Sequence, residues 1–547
     1  MEQVRLFTAI ALSFIVFFGW NYFFVDKEPV PVEQTLLTET TQKEAASANK
    51  PAGQPAVVIP RKVESDPGRT PVVYTVDTPL YTVRISDRGA RVTSLKLKDY
   101  RESLGVDAPF KEMVVDGDGG LKFSLEGGSI PGLNTAFFAS DSGQHSMAVS
   151  GQGRNLKFTW VSEEGVSVEK TFTFSSDSYL IGYELAIKNG ANGTINDKLV
   201  LSLLSPVPEG GRTYGFEGPC ALIGGSLEKV KIKKIEDKNI YGGDISWVAV
   251  QNRYFMSGII PETMEDASMR LFLGEGGSML ETQYAKATGP IGPGTEKRYG
   301  FNLYMGPKSV KILKEAGHKL DKSVNFGMFD IIAKPCLYLM NLIYSFIPNY
   351  GIAIILLTIL IKVLFWPLGT KSYRSMNEMK KLQPLMAEIR EKYKNDKQKM
   401  NAEVMGLYKT YKINPMSGCL PMVAQMPIFF ALYRMLYEAI ELRHAPFVGW
   451  ITDLSAPDRL FQFDITIPFM QAPYGIPVLT LVMGATMFLQ QKMQPPAGDP
   501  AQAKMMMMMP VVFTFIFINF SSGLVLYWLV NNVLSIAQQY YISKTNA

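Results

Sequence analysis

The stretch YGIAIILLTILIKVLFWPL, residues 350–368, contains a single charge, Lys362, in an otherwise apolar run. At about 1.5 Å of rise per residue, a helix of this length crosses most of a hydrocarbon core of roughly 30 Å. Four more apolar runs follow, at about 418–437, 475–491, 509–520 and 523–542. The run at 509–520 is short for a span unless its helix begins near Ala503 and includes the methionines that precede it. Residues 349–547 are therefore predicted to form a five-helix membrane core.

The N-terminus adds a sixth predicted span, because residues 6–25 carry no charge. A cleaved signal peptide is the alternative, but the following FFVDKEPV lacks a small-residue cleavage pattern. We interpret residues 1–26 as an uncleaved signal anchor helix. Residues 27–70 are rich in Pro, Thr and Glu and nearly free of aromatics, which predicts a flexible linker.

Residues 71–307 have a different texture, with short alternating apolar and polar runs separated by Gly, Asn and Asp, as in NLKFTWVS (155–162). This pattern predicts a large all-β domain, an antiparallel sandwich that lies outside the membrane. His145 is its only histidine, and no nucleophile–base spacing is present. Binding or scaffolding is therefore expected of this domain rather than catalysis.

Two further segments are predicted to be helical without crossing the membrane. Residues 308–348 are apolar but interrupted by Asp330, Lys334 and Pro335, which favours an amphipathic helix on the membrane surface. Residues 371–417 have apolar residues at helical spacing among lysines, with a turn at Asn395-Asp396, and predict a two-helix hairpin. A recruiting or gating arm is the favoured interpretation, and a solvated loop that only sets topology is the alternative.

Orientation follows from the basic residues. Eleven lysines and arginines lie between residues 371 and 417, so this segment is expected in the cytoplasm. Counting spans outward from it predicts cytoplasmic N- and C-termini and residues 27–348 on the opposite side.

Lys362 is the most informative single residue of the predicted spans. It lies nine residues before Lys371, about 13 Å along a continuous helix. A lysine at such depth costs about 2.5–3.5 kcal/mol and usually faces a bundle interior or a wet cavity, with snorkelling toward the headgroups as the alternative. The predicted spans contain no Asp or Glu. We therefore expect a hydrated groove in which Lys362 attracts a carboxylate of a passing chain.

Other residues are candidates for the lining of this groove, although interhelical packing is the alternative for each. The polar candidates are Thr358, Gln425, Asn531, Asn532, Gln538 and Gln539. The soft or aromatic candidates for an adaptable client surface are Met426, Phe429, Tyr527 and Trp528.

Several functional classes are disfavoured by composition. The absence of intramembrane acidic relays argues against an ion-coupled transporter, although a membrane transporter or channel stays the main alternative. The net charge of +5 gives no reason to expect nucleic acid as a partner. Cys220, Cys336 and Cys419 have no metal-ligand spacing, and no disulfide, metal, cofactor or catalytic residue is predicted.

Several motifs resemble those of the YidC family of membrane protein insertases, in the form found in bacteria with an outer membrane. The resemblance covers nearly the whole chain and is most specific in NPMSGCLPMVAQMPIFFALYRML (414–436) and MPVVFTFIFINFSSGLVLYWLVNNVLSIAQQ (509–539). It implies a periplasmic β-supersandwich similar to sugar-mutarotase folds and a five-helix core with a hydrophilic groove. The family's groove cation, usually arginine, falls on Lys362, where a lysine keeps the charge but loses the bidentate fork. Its client-contacting positions fall on Thr358, Met426, Phe429, Tyr527 and Trp528.

The function implied is insertion, folding and assembly of integral membrane proteins in the inner membrane, independently or with the Sec translocon. The implied partners are nascent membrane protein segments, the Sec translocon with its accessory subunits, and the lipid bilayer. The ribosome is a further candidate, but after the last span only Lys544 is basic, whereas many relatives carry a basic ribosome-binding tail. A second alternative function is that of an anchored periplasmic carbohydrate-binding or isomerase module.

Overall fold

A computed structural model describes residues 69–545, apart from 115–119, 152, 209–214, 265, 412–419 and 495–499. The predicted signal anchor, residues 1–26, and all but the last two residues of the predicted linker 27–70 lie outside the described residues.

The first part of the chain is all β, as the alternation predicts. Among its described residues, eighteen strands run from Val73 to Pro307. They are β1 (Val73–Asp77), β2 (Tyr81–Ser86), β3 (Arg91–Arg101), β4 (Phe110–Glu112), β5 (Leu121–Glu126), β6 (Ala139–Ser140), β7 (Ser146–Ala148), β8 (Arg154–Val161), β9 (Ser167–Phe174), β10 (Leu180–Lys188), β11 (Lys198–Pro206), β12 (Gly218–Ile223), β13 (Ser226–Lys229), β14 (Ile240–Gln251), β15 (Phe255–Pro261), β16 (Asp266–Leu273), β17 (Met279–Ala287) and β18 (Glu296–Pro307).

These strands form a five-stranded sheet, in the order β4-β3-β2-β1-β7, and a much larger sheet. The larger sheet runs β5-β11-β17-β16-β14-β15-β18-β10-β9-β8-β6, with β12 and β13 branching from β14. Pairing is antiparallel except between β1 and β7. Two layers of this kind bury the inward-facing residues of each strand between them.

Strand β9, SVEKTFTF, shows how the alternation builds the core and where it departs from an apolar pattern. Val168, Phe172 and Phe174 are buried, and Lys170 is buried on the same side of the strand. Its ammonium donates a 2.6 Å hydrogen bond to the Gly89 carbonyl. Burial lowers the pKa of Lys170 to about 7.

The second part of the chain is helical. Its described α-helices are α1 (Val310–Ala316), α2 (Asp330–Phe346), α3 (Tyr350–Leu364), α4 (Trp366–Lys381), α5 (Gln383–Lys392), α6 (Lys397–Thr410), α7 (Leu420–Glu438), α8 (Val478–Met493), α9 (Pro500–Phe517) and α10 (Ser522–Thr545). A short hairpin, β19 (Leu460–Phe463) with β20 (Tyr474–Ile476), lies between α7 and α8. The segment 308–348 contains two helices, α1 and α2, rather than one, and α2 exposes Ile331, Tyr338 and Phe346.

The predicted continuous helix over 350–368 is wrong at its C-terminal end. Helix α3 begins after Asn349, whose side chain accepts the Ile352 N–H at 3.1 Å, and ends at Leu364. Pro367 has no N–H to continue the hydrogen-bond ladder of α3, and it lies in the first turn of the new helix α4, which begins at Trp366. Within the described residues no single helix is both long and apolar enough to cross a membrane by itself, whereas α3 and α4 together reach that length across a bend of 65°.

Helix α9 begins at Pro500, so the methionine run 505–509 is helical, as the short run 509–520 requires.

The basic segment, residues 371–417, contains the rest of α4 followed by α5 and α6. The chain turns at residues 393–396, and the Asp396 side chain accepts the Lys399 N–H at the start of α6. The Tyr408 hydroxyl contacts Met386 Sδ at 3.4 Å and so joins α6 to α5.

The β domain contacts the helical part through the loop at residues 439–477 and the end of α7. Arg253 donates to the Tyr437 carbonyl at 2.6 Å, and Arg443 donates to the Arg101 carbonyl at 2.6 Å. The Ser309 hydroxyl donates to Glu441 at 3.1 Å. These bonds place the loop 439–477 on the same side of the helical part as the β domain.

Candidate functional site

One face of α10 is polar along most of its length. Tyr527, Asn531, Ser535 and Gln538 follow one another at spacings of four, four and three residues, so they share a helix face. Tyr527, Ser535 and Gln538 are buried, and Asn531 is partly buried. Buried polar side chains need hydrogen-bond partners, so this face has to be matched by polar groups of its neighbours.

Lys362 supplies the first of these groups. Its ammonium donates a 2.7 Å hydrogen bond to Ser535 Oγ, which in turn donates to the Asn531 carbonyl at 2.6 Å. In the part of the chain that the structure describes, no carboxylate pairs with Lys362. The continuous helix of about 13 Å expected between Lys362 and Lys371 is wrong, because α3 ends two residues after Lys362, at Leu364. Lys362 therefore lies beside the bend.

Helix α7 completes the site. Gln425 Nε2 donates to Asn531 Oδ1 at 2.9 Å. Lys362, Gln425, Asn531 and Ser535 thus form one hydrogen-bonded group on three helices, which we call the polar cluster. Its members are neutral except for Lys362, so the cluster has an uncompensated positive charge among its own residues.

The other predicted polar residues lie apart from this cluster. Thr358 is buried, and its hydroxyl donates to the Ile354 carbonyl of its own helix at 2.6 Å. Asn532 donates to Thr486 of α8, and Gln539 donates to the Met493 carbonyl. Gln538 donates to the Trp366 carbonyl at 3.1 Å. These three residues of α10 join it to α8 and α4.

The predicted aromatic residues form a second group beside the cluster. The Trp528 ring packs edge-on against Phe429 with centroids 4.7 Å apart and contacts Phe517 at 5.0 Å. Tyr527 is buried, whereas Met426 is exposed at the surface of α7. Aromatic edge-to-face contacts of this kind stabilise helix packing. Met426 is the most exposed member of this group, whereas Phe429 and Trp528 are only partly exposed.

Two functional features were missed in the sequence. Ser535 is the direct partner of Lys362, and its spacing of four residues from Asn531 is the signal that would have found it. Arg434, inside a predicted span, forms a 2.6 Å ion pair with Glu438, one residue beyond that span. The spacing of four residues between opposite charges is the signal in this case.

Sequence comparison connects this arrangement to characterised proteins. A profile described as 60Kd inner membrane protein matches residues 342–547, and a profile described as YidC periplasmic domain matches residues 73–339. The membrane protein insertase YidC of Syntrophobacter fumaroxidans is 42% identical over 564 residues and is covered completely, as is this chain. The chain belongs to the YidC family of membrane protein insertases. The resemblance seen in its motifs is thereby confirmed.

The YidC protein of Pelobacter propionicus is 41% identical over 555 residues, which cover 100% of this chain and 99% of the relative. A crystal structure of an active YidC insertase with its first transmembrane domain resolved is 19% identical, with a TM-score of 0.38 and coverage of 86% of this chain and 93% of the other. YidC insertases are inner membrane proteins with a periplasmic domain, and they are not catalytic enzymes. The strands of residues 73–307 lie within the match to the periplasmic-domain profile, and α3–α10 lie within the match to the 60Kd inner membrane protein profile.

Proposed function

We propose that this protein inserts, folds and helps assemble integral membrane proteins in the inner membrane through a hydrophilic groove lined by the polar cluster. The observation that carries the proposal is the bond between Lys362 and Ser535, which holds a cation beside hydrogen-bonding neutral groups and away from any described carboxylate. Such a site suits a polar, acidic segment that stays only briefly. Lys362 is the groove cation.

The electrostatics support transient binding. A carboxylate about 4 Å from Lys362, at an effective dielectric constant near 20, is attracted by roughly 4 kcal/mol before desolvation is subtracted. The hydrogen bonds from Lys362 to Ser535 and from Gln425 to Asn531 are the ones that the client's flank replaces. Since each bond is exchanged for another, the net cost of entry and of release is small.

The surroundings of Lys362 suit release into lipid. Leu360, Val363 and Leu364 of the same helix are exposed. An apolar client segment slides along α3 and α10 into the bilayer while its polar flank stays at the cluster. Hydrophobic transfer supplies the driving force, aided by the membrane potential acting on client charges.

We assign client contact to Thr358, Gln425, Met426, Phe429, Tyr527 and Trp528. Met426 is exposed and meets the client first, whereas Thr358 and Tyr527 are buried and become accessible when α3 and α10 separate. The rest of α4 from residue 371, with α5 and α6, forms the arm that receives the nascent chain. The bond from Gln538 to Trp366 supports this role because it links the start of α4, which continues into the arm, to the helix that carries the cluster.

The proposed topology has six transmembrane helices, with α3, α7, α8, α9 and α10 as the five-helix core. The bonds between the β domain and the loop 439–477 support it, because a loop held against the periplasmic domain suits the periplasm and leaves the opposite face of the membrane for the basic arm. Both termini are then cytoplasmic, and residues 27–348 are periplasmic. The proposed units are the anchor 1–26, the linker 27–70, the β domain 71–307, the surface region 308–348 and the core 349–547 with its arm 371–417.

The proposed partners are nascent membrane protein segments, the Sec translocon with its accessory subunits, and the lipid bilayer, with the ribosome as a further candidate. We propose insertion without the translocon because the proposed groove opens to both the cytoplasm and the lipid. We propose cooperation with the translocon on the basis of family membership alone.

Reconstituted insertion tests the role of Lys362. Proteoliposomes with the wild-type chain, Lys362→Arg, Lys362→Met or Lys362→Glu receive single-span clients with acidic or uncharged translocated tails. We expect Arg to preserve insertion and Glu to abolish it for acidic tails, since the attraction becomes a repulsion. Lys492→Glu, an exposed residue at the end of α8 outside the cluster and the arm, is the matched control for a charge change alone. Equal insertion of every client by the Glu variant would remove the electrostatic role.

Two further measurements separate the proposal from its alternatives. Photocrosslinkers at Gln425 and Met426 should label a stalled client, whereas one at the exposed Phe515 of α9 should label lipid.

Deletion of residues 371–417 should impair insertion while topology reporters keep their orientation. Inverted reporters would mean that the arm only sets topology. A solute flux through liposomes that contain only this protein would instead favour a channel.

A further inference from the structure

The periplasmic loop between α7 and α8 carries a hairpin that the insertion mechanism does not use. Its strands β19 and β20 pair from Leu460 with Ile476 and from Phe463 with Tyr474. The loop lies on the periplasmic side because Arg443, in its first part, is hydrogen-bonded to Arg101 of the periplasmic domain. The connection between the two strands, residues 464–473, is the tip of the hairpin.

The base of the hairpin is fixed to the periplasmic ends of the helices. Arg459 is buried and donates to the Pro473 carbonyl at 2.9 Å and to the Ile518 carbonyl, just after α9, at 2.8 Å. A buried guanidinium that bonds carbonyls of both segments holds them at a set distance. The hairpin is therefore anchored at the level of the turn between α9 and α10.

The tip is fixed by a second residue of that turn. Asn519 Nδ2 donates to the Phe469 carbonyl at 2.7 Å, and Asn519 Oδ1 accepts the Gln471 N–H at 2.8 Å. The backbone of Phe469 thus lies beside a residue that follows the last residue of α9 by two positions. At about 1.5 Å per residue, the exposed Phe515 on α9 is only about 6 Å deeper.

Three large apolar side chains of the hairpin point into open space. Phe461 is 73% exposed, Ile465 is 72% exposed and Phe469 is 84% exposed. Phe461 and Phe469 have φ angles of 49° and 67°, in the left-handed region that costs roughly 1–2 kcal/mol for such residues. The fold therefore maintains strained backbone at two residues whose side chains are mostly exposed. An arrangement of that kind is favourable when the rings are buried by something else.

The position of the hairpin favours the periplasmic leaflet of the bilayer as this partner. The lipid-facing Phe515 and Ile516 continue the apolar surface from α9 toward the hairpin. Between Leu460 and Met470 the only charge is Asp464. Full burial of one such side chain contributes about 1.5–3 kcal/mol, so three suffice for stable interfacial attachment of a segment that is already tethered.

We propose that the hairpin is an interfacial anchor, which inserts Phe461, Ile465 and Phe469 into the periplasmic leaflet of the inner membrane. It fixes the periplasmic ends of α8, α9 and α10 at the headgroup boundary. Because Arg459 and Asn519 join it to the α9–α10 turn, the anchor also sets the depth of the helix that carries the polar cluster.

Fluorescence in bilayers tests the anchor. The full chain, with Cys220, Cys336 and Cys419 replaced by Ser, carries a polarity-sensitive fluorophore at Phe469→Cys or, as a matched control, at Gln462→Cys. Gln462 is an exposed polar residue of the same strand, so we expect its side chain to stay in water. We expect position 469 to show blue-shifted emission and quenching by lipids brominated near the headgroups, and to resist aqueous iodide. Position 462 should be quenched by iodide.

Equal iodide quenching at the two positions in bilayers would overturn the proposal. Protection of position 469 that appears only on addition of the Sec translocon, or only at high protein density, would overturn it in favour of a protein partner or a second copy. A triple variant, Phe461→Ser, Ile465→Ser and Phe469→Ser, should give faster amide exchange at the periplasmic ends of α8–α10. Exchange in β9 and β10 should stay unchanged, and faster exchange there as well would mean a general loss of structure, which contradicts the anchor.

Discussion

The ammonium of Lys362 lies 2.7 Å from Ser535 Oγ, so the cation of α3 is held by a neutral hydroxyl of α10. Ser535 also donates to the Asn531 carbonyl, and Asn531 accepts from Gln425 of α7. The charge is thereby kept in place without being neutralised. A carboxylate partner would have held Lys362 as well, but it would have removed the attraction for an arriving acidic segment.

Ser535→Ala should impair insertion of clients with acidic tails, because the buried ammonium loses a partner, at a cost of about 1–3 kcal/mol. A double-mutant cycle with Lys362→Met measures the coupling. The double variant should insert no worse than Lys362→Met alone, whereas Ser345→Ala, an exposed serine on α2, should have no effect. Additive losses in the cycle would mean that Ser535 acts independently of Lys362.

Gly484 permits the close packing of α8 on α9. A Cβ atom at residue 484 would overlap Thr514 Oγ1, which is itself bound to the Pro510 carbonyl at 2.8 Å. Gly484→Ala should therefore destabilise the helical region by about 1–3 kcal/mol. Adding Thr514→Ala, which removes the overlapping oxygen, should restore part of the loss in thermal unfolding in detergent. Gly406→Ala, on the open face of α6, is the control and should be neutral or slightly stabilising.

An unrescued Gly484→Ala variant would show that another contact limits the approach of α8 to α9. A Gly484→Ala variant as stable as the wild-type chain would show that the two helices separate freely.

Local sequence patterns predicted much of the architecture. The polar face of α10 follows from the spacing of Tyr527 and Asn531, and Lys362 stands out because it is charged within an apolar run. The end of α3 was missed although Pro367 was visible, because hydropathy continues across the bend. Helix hydrogen bonding, rather than hydropathy, decides that boundary.

Contacts between distant segments could not be predicted. Arg459 donates to backbone carbonyls that lie 14 and 59 residues away. Every residue has a backbone carbonyl, so nothing in the sequence marks these two as its partners. Lys170 lies at an inward position of β9, where the alternation indicates an apolar residue. Its neighbours Phe123 and Phe138 come from other segments, and only their assembly around its side chain makes burial of the amine possible.

Lys170 should make the stability of the periplasmic domain depend on pH. Its pKa is lowered to about 7 in the folded chain, whereas an unfolded chain has the ordinary value of about 10.4. Below pH 7 both states are protonated. Between these values the unfolded state binds more protons, so the free energy of unfolding rises with pH by up to about 1.4 kcal/mol per unit.

Amide exchange of β9 and β10, compared between the wild-type chain and Lys170→Met at each pH, measures this contribution. The difference in free energy between the two should grow in favour of the wild-type chain from pH 7 to 9. Lys157→Met, a substitution of the partly exposed lysine on β8, is the control and should show no such trend. A constant difference for Lys170→Met would mean that its amine stays protonated over this range.

Arg253 should control how firmly the periplasmic domain is attached to the helices. Its Nε donates to the Tyr437 carbonyl at 2.6 Å, and its guanidinium lies 3.8 Å from the centroid of the Tyr437 ring. Arg253→Ala removes both contacts, and Arg253→Lys keeps the charge but loses the planar group that stacks and donates at once. Distances between spin labels on the domain and on α7 should broaden most for Ala and less for Lys. Arg154→Ala, on the exposed start of β8, should leave the distribution of distances unchanged.

The polar cluster is formed by α3, α7 and α10 alone. Insertion of a client in the absence of the Sec translocon should therefore survive Arg253→Ala. Loss of insertion in this variant would mean that the orientation of the domain governs the groove.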